Sequence, residues 1–282
     1  ARFFNDVGYG PDRVLVIPHM MSAYSLNIDW DLSYGFSQVA PRSLVESYQR
    51  VGEVFSARNY NQGGIPSDPY YGKDTWTAFE GSDDRPGAWS YRYGWRNRSA
   101  HIGVIGASDN HTQMPGVNDD VAPDGSRYHL NEPSGTTVTL AASRDRDGVF
   151  DALGARRSYA TTGVRAWLAF DVDGSPMGSE ISRSVDEITA AVDLMAGMTI
   201  TRVEVWGVQV GNPQSPYRLI RVDAPNSEIH YDTVALTNPV PAGGRQQEWL
   251  YYVRAFLETA EAEDGEPDDA VWSSPVWVTW SH

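Results

Sequence analysis

The chain has 282 residues, and 37 acidic against 22 basic side chains give it a formal charge of −15. That charge repels phosphate, and close basic groupings such as Arg96 with Arg98 and Arg156 with Arg157 make no stripe for nucleic acid. With no cysteine there is no disulfide, Cys-zinc site or thiol nucleophile, and no apolar run approaches the roughly 18 residues of a membrane span.

The length suits two domains of about 150 residues each. The chain opens on Ala1 and soon enters the apolar run 14–17, followed by Pro18. Such a run reads as a strand buried on both faces, and its early position reads as a processed or truncated piece of something longer. Pro41 and Gly52 bracket a helix over 41–50, with Leu44, Val45 and Tyr48 on one face. Residues 51–55 form a second strand. Residues 63–86, rich in Gly, Pro, Asp and Ser, make a long loop. Residues 102–107 are a third strand, small and apolar, followed by a second long loop over 115–135. A helix over 144–157 carries Val149, Phe150 and Leu153 on one face, with Ser143 or Asp145 as its cap.

From Thr162 the pattern changes. Seven strand-like runs, 167–170, 188–194, 200–210, 217–222, 229–235, 249–256 and 271–280, alternate with Gly, Pro, Asn and Asp clusters. Near-regular spacing of this kind predicts a β-sandwich, with Pro275 marking an edge or a bulge. The expected organisation is therefore an α/β portion over 1–162 and an all-β sandwich over 163–282.

Two short segments carry candidate chemistry. His19 stands just past the first strand, and Asp109, Asn110 and His111 just past the third. Asp109 and His111 are two apart, so in extended chain both side chains point the same way. A carboxylate and an imidazole on one face, with a second imidazole from a neighbouring strand end, make a divalent-metal constellation. Arg58 is placed to grip an anionic group with its planar fork. His101 stands at the far end of the third strand from Asp109, and His129, His230 and His282 have no companions in the sequence.

These segments, Ile17-Pro18-His19, Val51-Gly52-Glu53-Val54-Phe55-Ser56 and Ile105-Gly106-Ala107-Ser108-Asp109-Asn110-His111, resemble the last three strand ends of the polymerase-and-histidinol-phosphatase (PHP) superfamily. Further along, 146–153, 156–163, Met177-Gly178, Tyr251-Tyr252-Val253-Arg254 and Trp272-Ser273-Ser274-Pro275-Val276-Trp277 look like a large bacterial family of PHP-like proteins. The resemblance implies the C-terminal portion of a distorted (β/α)7 barrel followed by the sandwich. It implies a metal-dependent hydrolase, most simply a phosphoesterase acting on a small anionic substrate through a metal-activated water. His19, Asp109 and His111 match metal ligands of the superfamily, for up to three zinc, manganese or iron ions, with Asp109 and His111 also in the catalytic step. Arg58, Glu53 and Asn110 would face the substrate. The superfamily's remaining ligands precede the stretch that matches, so an N-terminal portion of the same precursor, or a complementary chain, would complete the barrel. The resemblance also implies export to the periplasm or envelope.

Two non-catalytic alternatives stand beside the hydrolase. One is a carbohydrate- or polymer-binding envelope protein, expected to show a solvent-facing row drawn from Trp249, Trp272, Trp277 and Trp280. The other is a structural subunit of a larger assembly, expected to show an apolar surface for other chains.

Overall fold

The computed structural model describes Gly8 and residues 10–17, 47–56, 94–96, 99–107, 119–121, 127–129, 135–258 and 269–282. Strands β1 (Val51–Ser56) and β2 (Gly103–Ala107) run parallel, Val51 opposite Gly103 and Ser56 opposite Ala107. Strands β3 (Asp119–Val121) and β4 (Arg127–His129) form a separate antiparallel pair. There follow β5 (Thr136–Thr139), helix α1 (Arg146–Gly154), β6 (Ser158–Thr161), β7 (Ala166–Val172), β8 (Ser175–Pro176), β9 (Glu180–Arg183) and β10 (Glu187–Gln209). The chain ends with β11 (Arg218–Asp223), β12 (Ser227–Thr237), β13 (Gln247–Glu258), β14 (Asp269–Ser273) and β15 (Val276–Trp280). Strands β5 to β15 belong to one 11-stranded sheet.

The organising element is β10, 23 residues long. Its first half alternates Ile188, Ala190, Val192 and Leu194 into the core, the period of two that a half-buried strand requires. The register then slips, between Met195 and Ile200 against β12 and between Ile200 and Arg202 against β13. Such slips bend a strand and increase its twist. The first half of β10 pairs with β7 on one edge and β12 on the other; the second half pairs with β13 and β11. The bend folds one sheet over on itself. Leu168, Phe170 and Leu194 from the first half thereby share a core with Val205, Tyr251, Val253, Val278 and Trp280 from the second.

Strand β13 is buried on both faces. Trp249, Tyr251, Val253, Ala255 and Leu257 enter that core, while Leu250, Tyr252 and Phe256 meet Val54, Trp95, Ile102 and Val104 in the layer built on β1 and β2. On this second face Glu204 is fully enclosed, but Arg254 Nε (2.6 Å), Arg202 Nε (2.6 Å) and Trp206 Nε1 (2.8 Å) all donate to it. Three donors satisfy a carboxylate that would otherwise be costly to bury.

Several expectations are corrected. The fold class, a C-terminal portion of a (β/α)7 barrel followed by a sandwich, is not what forms. Among the described residues the parallel ladders are β1–β2 and β15–β9, and α1 is the one helix with both ends described; the other ladders are antiparallel, all but β3–β4 in one curled sheet. The designation as a PHP-domain phosphoesterase hydrolase leaned on that barrel and loses its structural basis with it. Residues 14–17 belong to no strand: Val16 N donates to Tyr48 O (2.9 Å), and Ile17 is 42% exposed. The run is apolar enough for a strand, but no ladder partner flanks it among the described residues. Residues 188–194 and 200–210 are one strand because Ala196, Gly197 and Met198 stay extended rather than turn. The run 271–280 breaks into β14 and β15 at Ser274 and Pro275. Helix α1 starts at Arg146, later than expected, because Asp145 accepts from Gly148 N (2.8 Å) as its N-cap, braced by Ser143 Oγ (2.8 Å). It buries Ala152, while Val149 stays exposed.

Two glycines show how tightly the sheet meets the turn after α1. Gly178 (φ +87°) would put a Cβ 2.2 Å from Ala155 O, whereas Gly174 (φ +72°) has nothing within 4 Å of that position. Gly174→Ala carries the left-handed backbone penalty alone, about 1 kcal/mol. Gly178→Ala adds a backbone clash and is expected to cost about 3 kcal/mol or more. Urea unfolding midpoints of the two variants check this; equal midpoints would show that the 155–156 backbone yields freely.

Candidate functional site

Of the residues singled out for chemistry, Glu53 is described: it lies on β1, opposite Ile105, and is buried. His19, Arg58, Asp109, Asn110 and His111 lie outside the described residues. What the structure shows is the platform from which the last four leave. Strands β1 and β2 are parallel and end side by side at Ser56 and Ala107, so the segments bearing Arg58 and Asp109 start from one rim.

Several of the short motifs singled out in the sequence lie close to β2. Ser274 Oγ accepts from Val104 N (2.9 Å), and Ser158 Oγ donates to Val104 O (2.9 Å). Thr137 Oγ1 accepts from Gly106 N (3.1 Å) and donates to Gly106 O (2.6 Å). A side chain at Gly103 would stand 2.6 Å from Ser274 Oγ, so this strand packs against the seam through bare backbone. Thr162 Oγ1 donates to Asp269 Oδ1 and accepts from Ala270 N (3.1 Å). Ser274 of the Trp-Ser-Ser-Pro segment, Ser158 just ahead of Tyr-Ala-Thr-Thr-Gly, and Thr137 of β5 thus form a hydrogen-bonded seam that fixes β2 on the sheet.

A charged cluster closes one end of that seam. Arg156, in left-handed backbone (φ +60°), donates through Nε and Nη2 to Gly178 O (3.1 and 2.9 Å) and through Nη2 to Glu180 Oε1 (2.6 Å). His101 Nδ1 is 3.1 Å from Glu180 Oε1, and its Nε2 is 3.2 Å from Glu248 Oε1. The imidazole stacks on Trp277 with centroids 5.0 Å apart, and the Arg156 guanidinium lies 4.8 Å from the same ring centroid. Burial by itself would lower the His101 pKa; hydrogen bonds to Glu180 and Glu248, and their charge, reverse that and raise it to about 9. Glu180 is held at about 2, chiefly by its hydrogen bond with His101, against burial and with help from Arg156. With both ring nitrogens engaged by carboxylates, His101 has no lone pair to offer a metal or a proton. The cluster is an anchor.

A second cluster lies on the open edge of the curled sheet. Strands β11 and β12 run end to end along one side of β10, broken at 224–226. Beside the break, Arg221 Nε donates to Asp223 Oδ2 (2.9 Å) and Asp232 Oδ2 (3.1 Å), and His230 Nε2 is 3.8 Å from Asp223 Oδ2. One ligand atom from each of Asp223, His230 and Asp232 lies within 4.8 Å of the others. The Asp223 carboxyl sits below its ordinary range: burial opposes the shift, and hydrogen bonds with Asp232 and Arg221 bring it about.

Sequence reasoning left both clusters out. For His101, the partners Glu180 and Glu248 are remote in the chain, so no local spacing reveals them. For His230 there was a signal. Val234 and Leu236 mark one face of β12 as core-facing, and the same alternation run backwards lands on Asp232 and His230. The indoles of Trp249, Trp272, Trp277 and Trp280, expected in a solvent-facing row, are all buried.

No family model matches the chain. It is 26% identical over 148 residues to an uncharacterised protein of Chlamydia trachomatis, covering 51% of this chain and 22% of that protein. A Chlamydia pneumoniae relative, also uncharacterised, is 28% identical over 151 residues with the same coverage. The chain thus spans about a fifth of the length of the curated relatives it matches. Among solved structures, a Niemann-Pick type C2 protein from the Japanese carpenter ant aligns at TM-score 0.22 and 12% identity, covering 40% of this chain and 95% of that one. A polysaccharide monooxygenase CBM33 aligns at TM-score 0.24 and 11% identity, covering 70% and 96%. Superpositions this loose assign neither a fold nor a ligand. No helix among the described residues is long and apolar enough to cross a membrane.

The anchor around His101 makes stability depend on pH in a defined direction. His101, raised to about 9 from 6.5, contributes fully below pH 6.5 and loses its contribution as pH rises toward 9. Glu180, lowered to about 2 from 4.5, contributes above pH 4.5 and loses its contribution as pH falls toward 2. Melting temperatures across pH are expected to plateau between about 4.5 and 6.5 from this pair, and His101→Gln to flatten the alkaline limb. An alkaline limb unchanged in that variant would assign the fall to other groups.

Proposed function

We propose that this chain is a non-catalytic, partner-binding portion of a larger assembly, and that its partner is a further segment of the same precursor. The observation that carries the reading is an apolar strip on the outer face of β7, β10 and β12. Trp167, Met195 and Ile229 stand directly opposite one another across the three strands and are 47%, 39% and 49% exposed. Tyr231, 62% exposed, sits two residues beyond Ile229 on the same face, with its hydroxyl 3.6 Å from Met195 Sδ. Contiguous exposed apolar side chains on one face mark an interaction surface.

Among the described residues strand β12, 11 residues long, pairs with β10 alone, so backbone donors and acceptors on its other edge stand beside the strip. An extended segment adding to that edge would satisfy the row and set alternate apolar side chains against Ile229 and Tyr231. The curated relatives extend far beyond the stretch they share with this chain, which favours such a segment over an unrelated partner. Met195 and Ile229 at the centre of the strip offer a sugar no hydrogen bond, which weighs against the carbohydrate reading.

The test uses the chain and the remainder of its precursor, expressed separately. Association is expected by analytical ultracentrifugation, with Trp167→Ser/Tyr231→Ser weakening it at least tenfold while leaving the melting temperature of the chain alone unchanged. Association indifferent to the double substitution would defeat the proposal. Self-dimerisation, or retention on insoluble polysaccharide, that the same substitutions abolish would reassign the surface.

A further inference from the structure

His230 and Asp232 face inward from β12, opposite Leu194 and Val192 of β10, at positions where the strand elsewhere carries Val234 and Leu236. Arg221 and Asp223 face inward from β11, opposite Val205 and Val203. Four polar side chains therefore occupy core-facing positions at the open lip of the curled sheet. Polar groups so placed are ordinarily hydrogen-bonded. The two carboxylates are, to Arg221; among the described residues no hydrogen bond to the imidazole is seen. The His230 side chain is 10% exposed, and its Nε2 stands 3.8 Å from Asp223 Oδ2, an ion-pair contact too long for a hydrogen bond.

The geometry points to a divalent-cation site formed by Asp223, His230 and Asp232, of the chemistry that takes zinc or manganese. One imidazole and two carboxylates form a mixed nitrogen and oxygen set that suits those ions, with the open lip leaving positions for water. Ligand atoms about 2.1 Å from a shared ion stand roughly 3 to 3.5 Å apart. The 4.8 Å limit on the present separations exceeds that by an amount that side-chain rotation covers. Two carboxylates and a neutral imidazole balance the charge of a divalent ion.

Arg221 holds the place of that ion. Its Nε and Nη2 engage Asp223 Oδ2 (2.9 Å), Asp232 Oδ2 (3.1 Å) and Asp223 Oδ1 (2.9 Å), the oxygens the ion would need. Its side chain is 50% exposed, so it can swing into water as the ion enters. Guanidinium and cation compete for one set of acceptors, and this gives the proposal a sign that an accidental acidic patch would not share.

The test is titration of the untagged protein with zinc chloride, and separately with manganese chloride, by isothermal calorimetry. One ion per chain is expected at this site for at least one of the two metals. His230→Gln/Asp232→Asn is expected to weaken that event at least tenfold, and Arg221→Gln to tighten it at least threefold. Because His19, Asp109 and His111 are other candidate ligands, the comparison is between variants rather than of total metal bound. Metal binding unchanged in the double variant, or weakened in Arg221→Gln, overturns the site. Melting curves without metal check that the double variant folds; if it does not, Asp232→Asn alone, which preserves shape, carries the same expectation.

Discussion

Burial of β13 on both faces is the constraint from which the rest follows. A strand with alternating polarity needs one apolar layer over it. One that reads Trp249-Leu250-Tyr251-Tyr252-Val253 needs two, because each large side chain left in water forfeits about 1.5–3 kcal/mol. One layer comes from the sheet itself, folded over at the slip in β10. The other comes from β1, β2 and Trp95. The first layer is continuous with β13 through the backbone ladder. The second is a separate two-stranded piece and must be fastened by side chains, which is what the Ser158, Ser274 and Thr137 hydrogen bonds and the Arg156 cluster accomplish.

That fastening gives a structural role to several short distinctive segments that lie far apart in the sequence. Arg156 through Gly163, Met177-Gly178 and Trp272 through Trp277 have no chemistry in common. They share a location: Ser158 and Ser274 bond the backbone of β2, Arg156 packs against Gly103, and Gly178 O receives the Arg156 guanidinium. Arg156 even adopts left-handed backbone, a costly conformation for a long side chain, where it reaches Gly178 O and Glu180. Segments specified by a joint differ from segments specified by a reaction. The former must preserve shape and hydrogen-bond complementarity, whatever happens at the strand ends beyond.

Much of the strand content was legible because period-two alternation is a local property. β7, β11, β12 and β13 all fall on runs read from the sequence, and so do β1 and β2. What local pattern could not reveal was how strands associate. Residues 196–198 read as a turn between two strands of a sandwich, yet they carry one strand through a bend, and whether a Gly-containing stretch turns or bends depends on partners elsewhere in the chain. Likewise 14–17 is apolar enough for a strand and has no ladder to join among the described residues. The parallel orientation of β1 and β2 was anticipated; the barrel inferred around them does not form, because among the described residues they pair only with each other and the strands that follow pair almost entirely antiparallel. At the level of sites, His101 owes its charge to Glu180 and Glu248, which no spacing links to it.

The edge of the sheet formed by β11 and β12 beside β10 joins the two surfaces that remain. A single long strand along that edge would have continued the inward apolar row from Leu236 up to Arg218. Instead the chain breaks at 224–226, where Pro225 lacks a backbone donor and Asn226 (φ +46°) turns the path. On the inner face beside the break, apolar side chains give way to Arg221, Asp223, His230 and Asp232. On the outer face, polar side chains give way to Ile229 and Tyr231. Around residues 229–232 the expected polarity of β12 is therefore inverted on both faces. A one-residue slip in register would exchange the faces and place Ile229 and Tyr231 inside, but the ladder from Glu187–Thr237 to Met195–Ile229 is unbroken and Val234 and Leu236 hold it. The inversion is thus maintained against the register that would relieve it. A sheet edge maintained that way carries charged side chains on its inner lip and apolar ones on its outer face.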